Sequence, residues 1–427
     1  MAKPMLESLP NELMVIIFSH ISDLATLKSI VLSSPVCHKA YLMVREELLN
    51  KILKRSYGDF LDLSEAIIAI RSEDLWLALH EEQAIALLDR WRRREEIRQS
   101  FPALAARLYQ PCDVEEIVKL LQFHKMLQFF LEDYTINLPR PSWIEPARWQ
   151  QELPLTMSDV ERCRFVRALC RLQIYSNVFG LPRDRKCPRV LASSFLSDEK
   201  SFRLFLGAMP PWEYHEMGCV WTYLQTKYDP VFWKMSTKFR DAMVNDQGRF
   251  FFIFFGNVLS DDECPPSVID RVKDLPLISE YITALTFMAP DFLYRVLQST
   301  PILQRNLVLG NLNSAFHSVF DGRFPNWHQR IPFTDPADRH YVRHFEHFWS
   351  TLPPLEQPNL GWRKLGLVPH TPEQELEYAL DRDSDQPLAN EWSWGCALWD
   401  DARLKRWKAP LLEEGRGDAP LLLLTAA

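Results

Sequence analysis

Apolar side chains recur at intervals of three and four residues through most of this chain, and prolines fall between the periodic stretches rather than inside them. That pattern constrains the fold more than any motif does. Ser72–Gln99, Asp113–Tyr134 and Ser158–Phe179 each predict an amphipathic helix, the first two opening on acidic residues that complement a helix N-terminus. Further helices are expected around 198–206, 211–227, 229–259 with breaks, 276–298 and 301–320, and over Thr334–Leu352, where Thr334 or Asp335 precedes Pro336. Asn137–Pro154 holds four prolines and predicts a loop. With 13 glycines and 30 prolines in 427 residues, the chain suits helices joined by stiff connections. The expected fold class is all-α.

The length and the 47% apolar content allow a large core, with two or three domains as the prior. A net charge of -7 gives no overall reason to approach nucleic acid or an anionic membrane. The apolar runs Phe250–Phe255 and Leu421–Leu424 fall far short of the roughly 20 residues that span a bilayer. The first residues lack the pattern of a secretory signal. Eight cysteines, none in a C-x-x-C, predict reduced thiols and a cytoplasmic or nuclear protein. No repeat with a period of about 20 to 50 residues is present.

The best-punctuated region is Leu6–Leu42. Leu9, Leu13, Ile16 and Ile17, then Leu24, Leu27, Ile30 and Val31, keep helical spacing. Pro10 fits a first helical turn, Asp23 can cap a second helix, and Ser34-Pro35 is an N-cap and N1 pair for a third that runs out near Lys54. Three such short helices carry more apolar positions than they can bury among themselves. Either the surplus packs into the rest of the chain, or it meets a partner.

The stretch "LPNELMVIIFSHISDLATLKSIVLSSPVCHKAYL", Leu9–Leu42, resembles an F-box: the Leu-Pro opening, Glu12 and Leu13, Ile17-Phe18, Ile21, the spacing of Leu24 and Leu27, Val31 and the third helix all match. Its form "VLSSPVCHKAY" is similar to that of a large group of F-box proteins from filamentous fungi, and "WSWGCALWDDARLKRW" (Trp392–Trp407) weakly resembles endings in the same group. Ile16 stands where many members are polar, and Tyr41 where many have tryptophan. The resemblance implies binding of a Skp-type adaptor, and through it a cullin scaffold, with the remainder of the chain selecting a protein substrate for ubiquitin transfer. It implies Leu9, Pro10, Leu13, Ile17, Phe18, Val31, Val36 and Tyr41 as adaptor contacts or their immediate support. On that basis the expected organisation is an F-box over 1–55, a large irregular helical domain over 56–350 and a Pro/Trp-rich C-terminal segment over 351–427. The chain would then be a non-catalytic substrate receptor of an SCF-type ligase. The alternative within the same family is an adaptor partner that works outside any ligase.

Chemistry elsewhere is sparse. His340, His344 and His347 can share one side of a helix and offer imidazoles to zinc, which is the case for a metal-dependent enzyme; a polar stripe beside the aromatic face of the same helix is the simpler account. "DRDSDQPLANEW" begins like a calcium loop but has Gln386 where the turn glycine belongs and Trp392 where a bidentate glutamate belongs. "RWRRREE" (Arg90–Glu96) mixes arginine with tryptophan as a phosphate-tracking surface does, although two glutamates point to a solvated helix face with Trp91 turned inward. Cys163 and Cys170 share a helix face without further ligands and are expected to be buried. No phosphate-binding or nucleophile-elbow motif occurs. No cofactor is expected.

Overall fold

The structure, a computed structural model, describes residues 9–21, 23–58, 62–180, 201, 204–245, 282–283, 285–310, 350, 352–354, 356–364 and 392–410. Among these residues there are fifteen α-helices, one 3-10 turn and no strand, as expected of an all-α chain.

The N-terminal helices α1 (Asn11–Ser19), α2 (Leu24–Ser33) and α3 (Pro35–Tyr57) begin where local chemistry predicts. Asp23 accepts from the Thr26 amide (2.8 Å) and Ser34 from the Val36 amide (3.1 Å), each satisfying a donor that the first turn leaves without a partner. Both α1 and α2 pack on α3. The third helix runs one turn past Lys54, to Gly58, whose positive φ of 59° suits the glycine found there.

Next come α4 (Leu63–Arg71), α5 (Glu81–Arg92), α6 (Arg94–Ser100), α7 (Pro102–Leu108) and α8 (Val114–Asn137). The single helix expected over Ser72–Gln99 is therefore broken. Residues 72–80 form turns, with Asp74 at a φ of 62°, and Arg93 leaves helical geometry between α5 and α6. The expected loop at Asn137–Pro154 contains a short helix, α9 (Pro146–Glu152), because Pro146 sits at the first helical position, where its missing N–H costs nothing.

The body is organised around α10 (Asp159–Phe179). Ser158 and Glu161 close a capping box at its start, and nearly every residue beyond the first turn is buried. Against it pack α4, α8, α11 (Pro211–Asn245) and α12 (Pro290–Leu297), the last followed by α13 (Pro301–Gly310). The eleventh helix passes through Pro230, which is exposed beside exposed Asp229. The short helices α14 (Leu360–Lys364) and α15 (Asp401–Trp407) complete the described chain.

Residues 392–410 contribute to the core. Trp392, Trp394, Trp399 and Trp407 are all buried. The Trp392 ring lies so close over Gly218 that a Cβ there would meet it at 2.6 Å. Arg164 donates to the Trp399 carbonyl (3.2 Å), Trp143 to the Trp407 carbonyl (3.2 Å), and Arg403 pairs with Glu161 (2.6 Å).

Candidate functional site

The three N-terminal helices present the clearest surface feature among the described residues. On α1 the apolar residues divide between two faces. Met14 and Phe18, four apart, are fully buried and face the rest of the unit, with Ile21 beyond them. Leu13 is 46% exposed and Ile16 53% exposed. On α2, Leu27 and Val31 are buried while Leu32 is 70% exposed. On α3, Cys37 and Ala40 are buried, whereas Val36, Leu42 and Met43 are exposed. These six account for half of the exposed large apolar side chains among the described residues, so the surplus read from the sequence stays uncovered here.

The residues implied by the F-box resemblance separate into two kinds. Pro10, Leu13 and Val36 are exposed and available to a partner. Leu9, Ile17 and Tyr41 are half-buried, with Leu9 and Tyr41 packed against the core. Phe18 and Val31 are buried and act as support from beneath. Ile16, Leu32, Leu42 and Met43 were absent from that set. Their signal is the helical period: taking Met14 and Phe18 as the inward pair places Leu13 and Ile16 on another side of α1.

The same unit is anchored by the far half of α3. Leu48, Leu49, Ile52, Leu53 and Tyr57 are buried, and α3 packs on α8. The Tyr57 hydroxyl donates to the Leu120 carbonyl (2.9 Å), and its ring lies 5.0 Å from that of His124. Burial holds the His124 imidazole below its usual range, against a hydrogen bond to the Ser56 backbone carbonyl that favours the charged form. A continuous helix thus carries exposed Val36, Leu42 and Met43 near one end and a buried seam at the other.

The body holds a buried charge network whose groups pair among themselves. Arg167 makes a bidentate contact with Glu216 (2.6 and 3.0 Å), while Arg171 bridges Glu213 (2.5 Å) and Glu65 (2.8 Å). Trp91 is buried as expected and donates to Glu65 (3.0 Å). Desolvation raises the buried Cys163 and Cys170 thiols, which keeps them protonated and unreactive. His215 accepts from Trp392 Nε1 through Nδ1 (3.0 Å), and burial pushes its imidazole down to about 3, so it is neutral at physiological pH.

His340, His344 and His347, and the acidic loop from Asp381 as far as Glu391, lie outside the described residues. Among the described residues no three His, Cys, Asp or Glu side chains are grouped to hold a metal ion, and no helix is long and apolar enough to cross a membrane. No family model, curated protein or solved structure matches the chain.

Proposed function

We propose that this chain is the substrate-receptor subunit of an SCF-type cullin-RING ubiquitin ligase, docking a Skp-type adaptor through the N-terminal helices and holding a protein substrate with the helical body. The observation that carries the reading is the uncovered apolar surface on α1–α3, on the stretch whose sequence resembles an F-box. A helix face rich in aliphatic anchors and poor in charge is suited to the core of a protein–protein interface. In this role the chain supplies proximity, and bond chemistry belongs to other subunits.

The test follows from the exposure of the anchors. Replacing Leu13 and Ile16 together with serine should reduce capture of a purified Skp-type adaptor at least tenfold while leaving the thermal transition in place, since neither side chain supports the core. Undiminished capture by the folded double variant would overturn the reading. Co-purification of cullin and of ubiquitylated protein with the wild-type chain separates a ligase receptor from an adaptor partner that works elsewhere.

A further inference from the structure

A second surface carries the opposite electrical character to the chain as a whole. Between Asp89 and Arg107 there are six arginines against three carboxylates, in a protein of net charge -7. The carboxylates are already engaged: Asp89 pairs with Arg92 (2.7 Å), Glu96 with Arg93 (2.7 Å) and Glu95 with Arg98 (2.6 Å). From α4, Asp62 takes a further contact with Arg98 (2.5 Å) and, with Glu65, faces Arg94. Arg90 and Arg107 are exposed and enter no ion pair among the described residues.

These two guanidinium groups flank an apolar corner. The Tyr109 hydroxyl donates to the Arg90 carbonyl (2.7 Å), which holds the end of α7 against the last turn of α5. The ring of Tyr109 is covered by Arg98 at 5.4 Å. Where α6 turns into α7, Phe101 is 60% exposed, Leu104 is 44% exposed, and Pro102, Ala103 and Ala106 are exposed beside them. In α7 itself Ala105 is buried and Leu108 half-buried, while Pro102, Ala103, Leu104 and Ala106 face solvent, with Arg107 one turn beyond Leu104.

From this juxtaposition we infer that the α6–α7 corner docks an acidic segment of a partner protein, its aliphatic or aromatic side chains seated on Phe101 and Leu104 and its carboxylates on Arg90 and Arg107. Guanidinium groups without internal partners suit bidentate contact with carboxylates, and unlike charge steers the encounter. Leu104 and the alanines offer nothing to a nucleobase or a phosphate. The negative charge of the whole chain opposes the close approach of a polyanion that a nucleic acid or an anionic membrane would require. The inference uses elements separate from α1–α3 and stands independently of the adaptor reading.

The experiment is selection from a random peptide display library on the immobilised full-length chain, followed by fluorescence anisotropy with the enriched peptides. Enriched sequences should combine Asp or Glu with aliphatic or aromatic residues. Their affinity should fall at least tenfold both in Arg90→Glu with Arg107→Glu and in Phe101→Ser with Leu104→Ser, and a tenfold rise in salt should weaken binding to the wild type more than binding to the arginine double variant. All four positions are exposed, so the variants should keep the wild-type thermal transition, which is checked beside them. Enrichment of basic or uncharged peptides, equal binding by the folded variants, or arginine-dependent binding of a single-stranded RNA or of phosphatidylserine vesicles in place of peptide would overturn the inference.

Discussion

Leu13 and Phe18 are five residues apart on one short helix, and they have opposite duties. Phe18 is fully buried beneath the N-terminal unit, so Phe18→Ala should cost about 3–5 kcal/mol in a denaturant titration, the range for removing a buried ring and leaving a cavity. Leu13→Ser should change the same titration by about 0.5 kcal/mol or less, because its side chain is nearly half exposed. His215 supplies a different kind of test. With its imidazole held near 3 when folded, against an ordinary value near 6.5, the unfolded chain binds the extra proton at intermediate pH. Its contribution to stability is complete above about pH 6.5 and is lost as the pH falls toward 3, at up to roughly 1.4 kcal/mol per pH unit. Urea denaturation across that range should show a flatter acid limb for His215→Gln than for the wild type, and parallel limbs would disprove the assignment.

Helix starts were legible in the sequence wherever one residue's chemistry decides them. Asp23, Ser34, Asp113 and Ser158 each cap the helix that follows. Interruptions were less legible, because both Arg93 and the turns at 72–80 sit in a stretch of continuous apolar period; α5 buries Ala84, Leu87, Leu88 and Trp91, whereas α6 buries no side chain. The charge network was hidden for a further reason. Arg171 finds Glu213 42 residues away and Glu65 106 residues away, a pairing that no local spacing encodes. At this scale the expected outcome is that Arg171→Met leaves Glu213 to Arg167 and Glu65 to Trp91 and Arg94, one cation short in a buried network, and costs about 3 kcal/mol, measured by thermal or chemical unfolding. Replacing Arg171 and Glu213 together with apolar residues of similar volume should recover part of that loss, since Arg167 keeps Glu216, and the recovery distinguishes unbalanced charge from lost packing. For the candidate site, the three helices of the N-terminal unit and their caps were legible, but which of its apolar residues face outward needed the helices to be placed on α3.

Across the whole molecule, both ends of the described chain are tied to its centre. The third helix joins the uncovered apolar surface to the α8 seam without a break, and the C-terminal tryptophans fill the face of the body lined by α9, α10 and α11. Ending the chain after Glu391 should therefore abolish the cooperative unfolding transition and yield aggregated protein, since Glu161, Arg164 and His215 all lose buried partners at once. A soluble truncated chain with a sharp transition would contradict the placement of the C-terminal segment in the core.

That placement also governs how the protein is made. Trp143 waits for the carbonyl of Trp407, and Arg148 for that of Arg406, across separations of 264 and 258 residues. At a synthesis rate of about 5–20 residues per second, the centre of the body stays open to solvent for tens of seconds after α10 leaves the ribosome. Throughout that interval the Arg164 and Glu161 side chains of α10, which Trp399 and Arg403 later meet, lack those partners, so exposed apolar surface persists until the last tryptophans emerge.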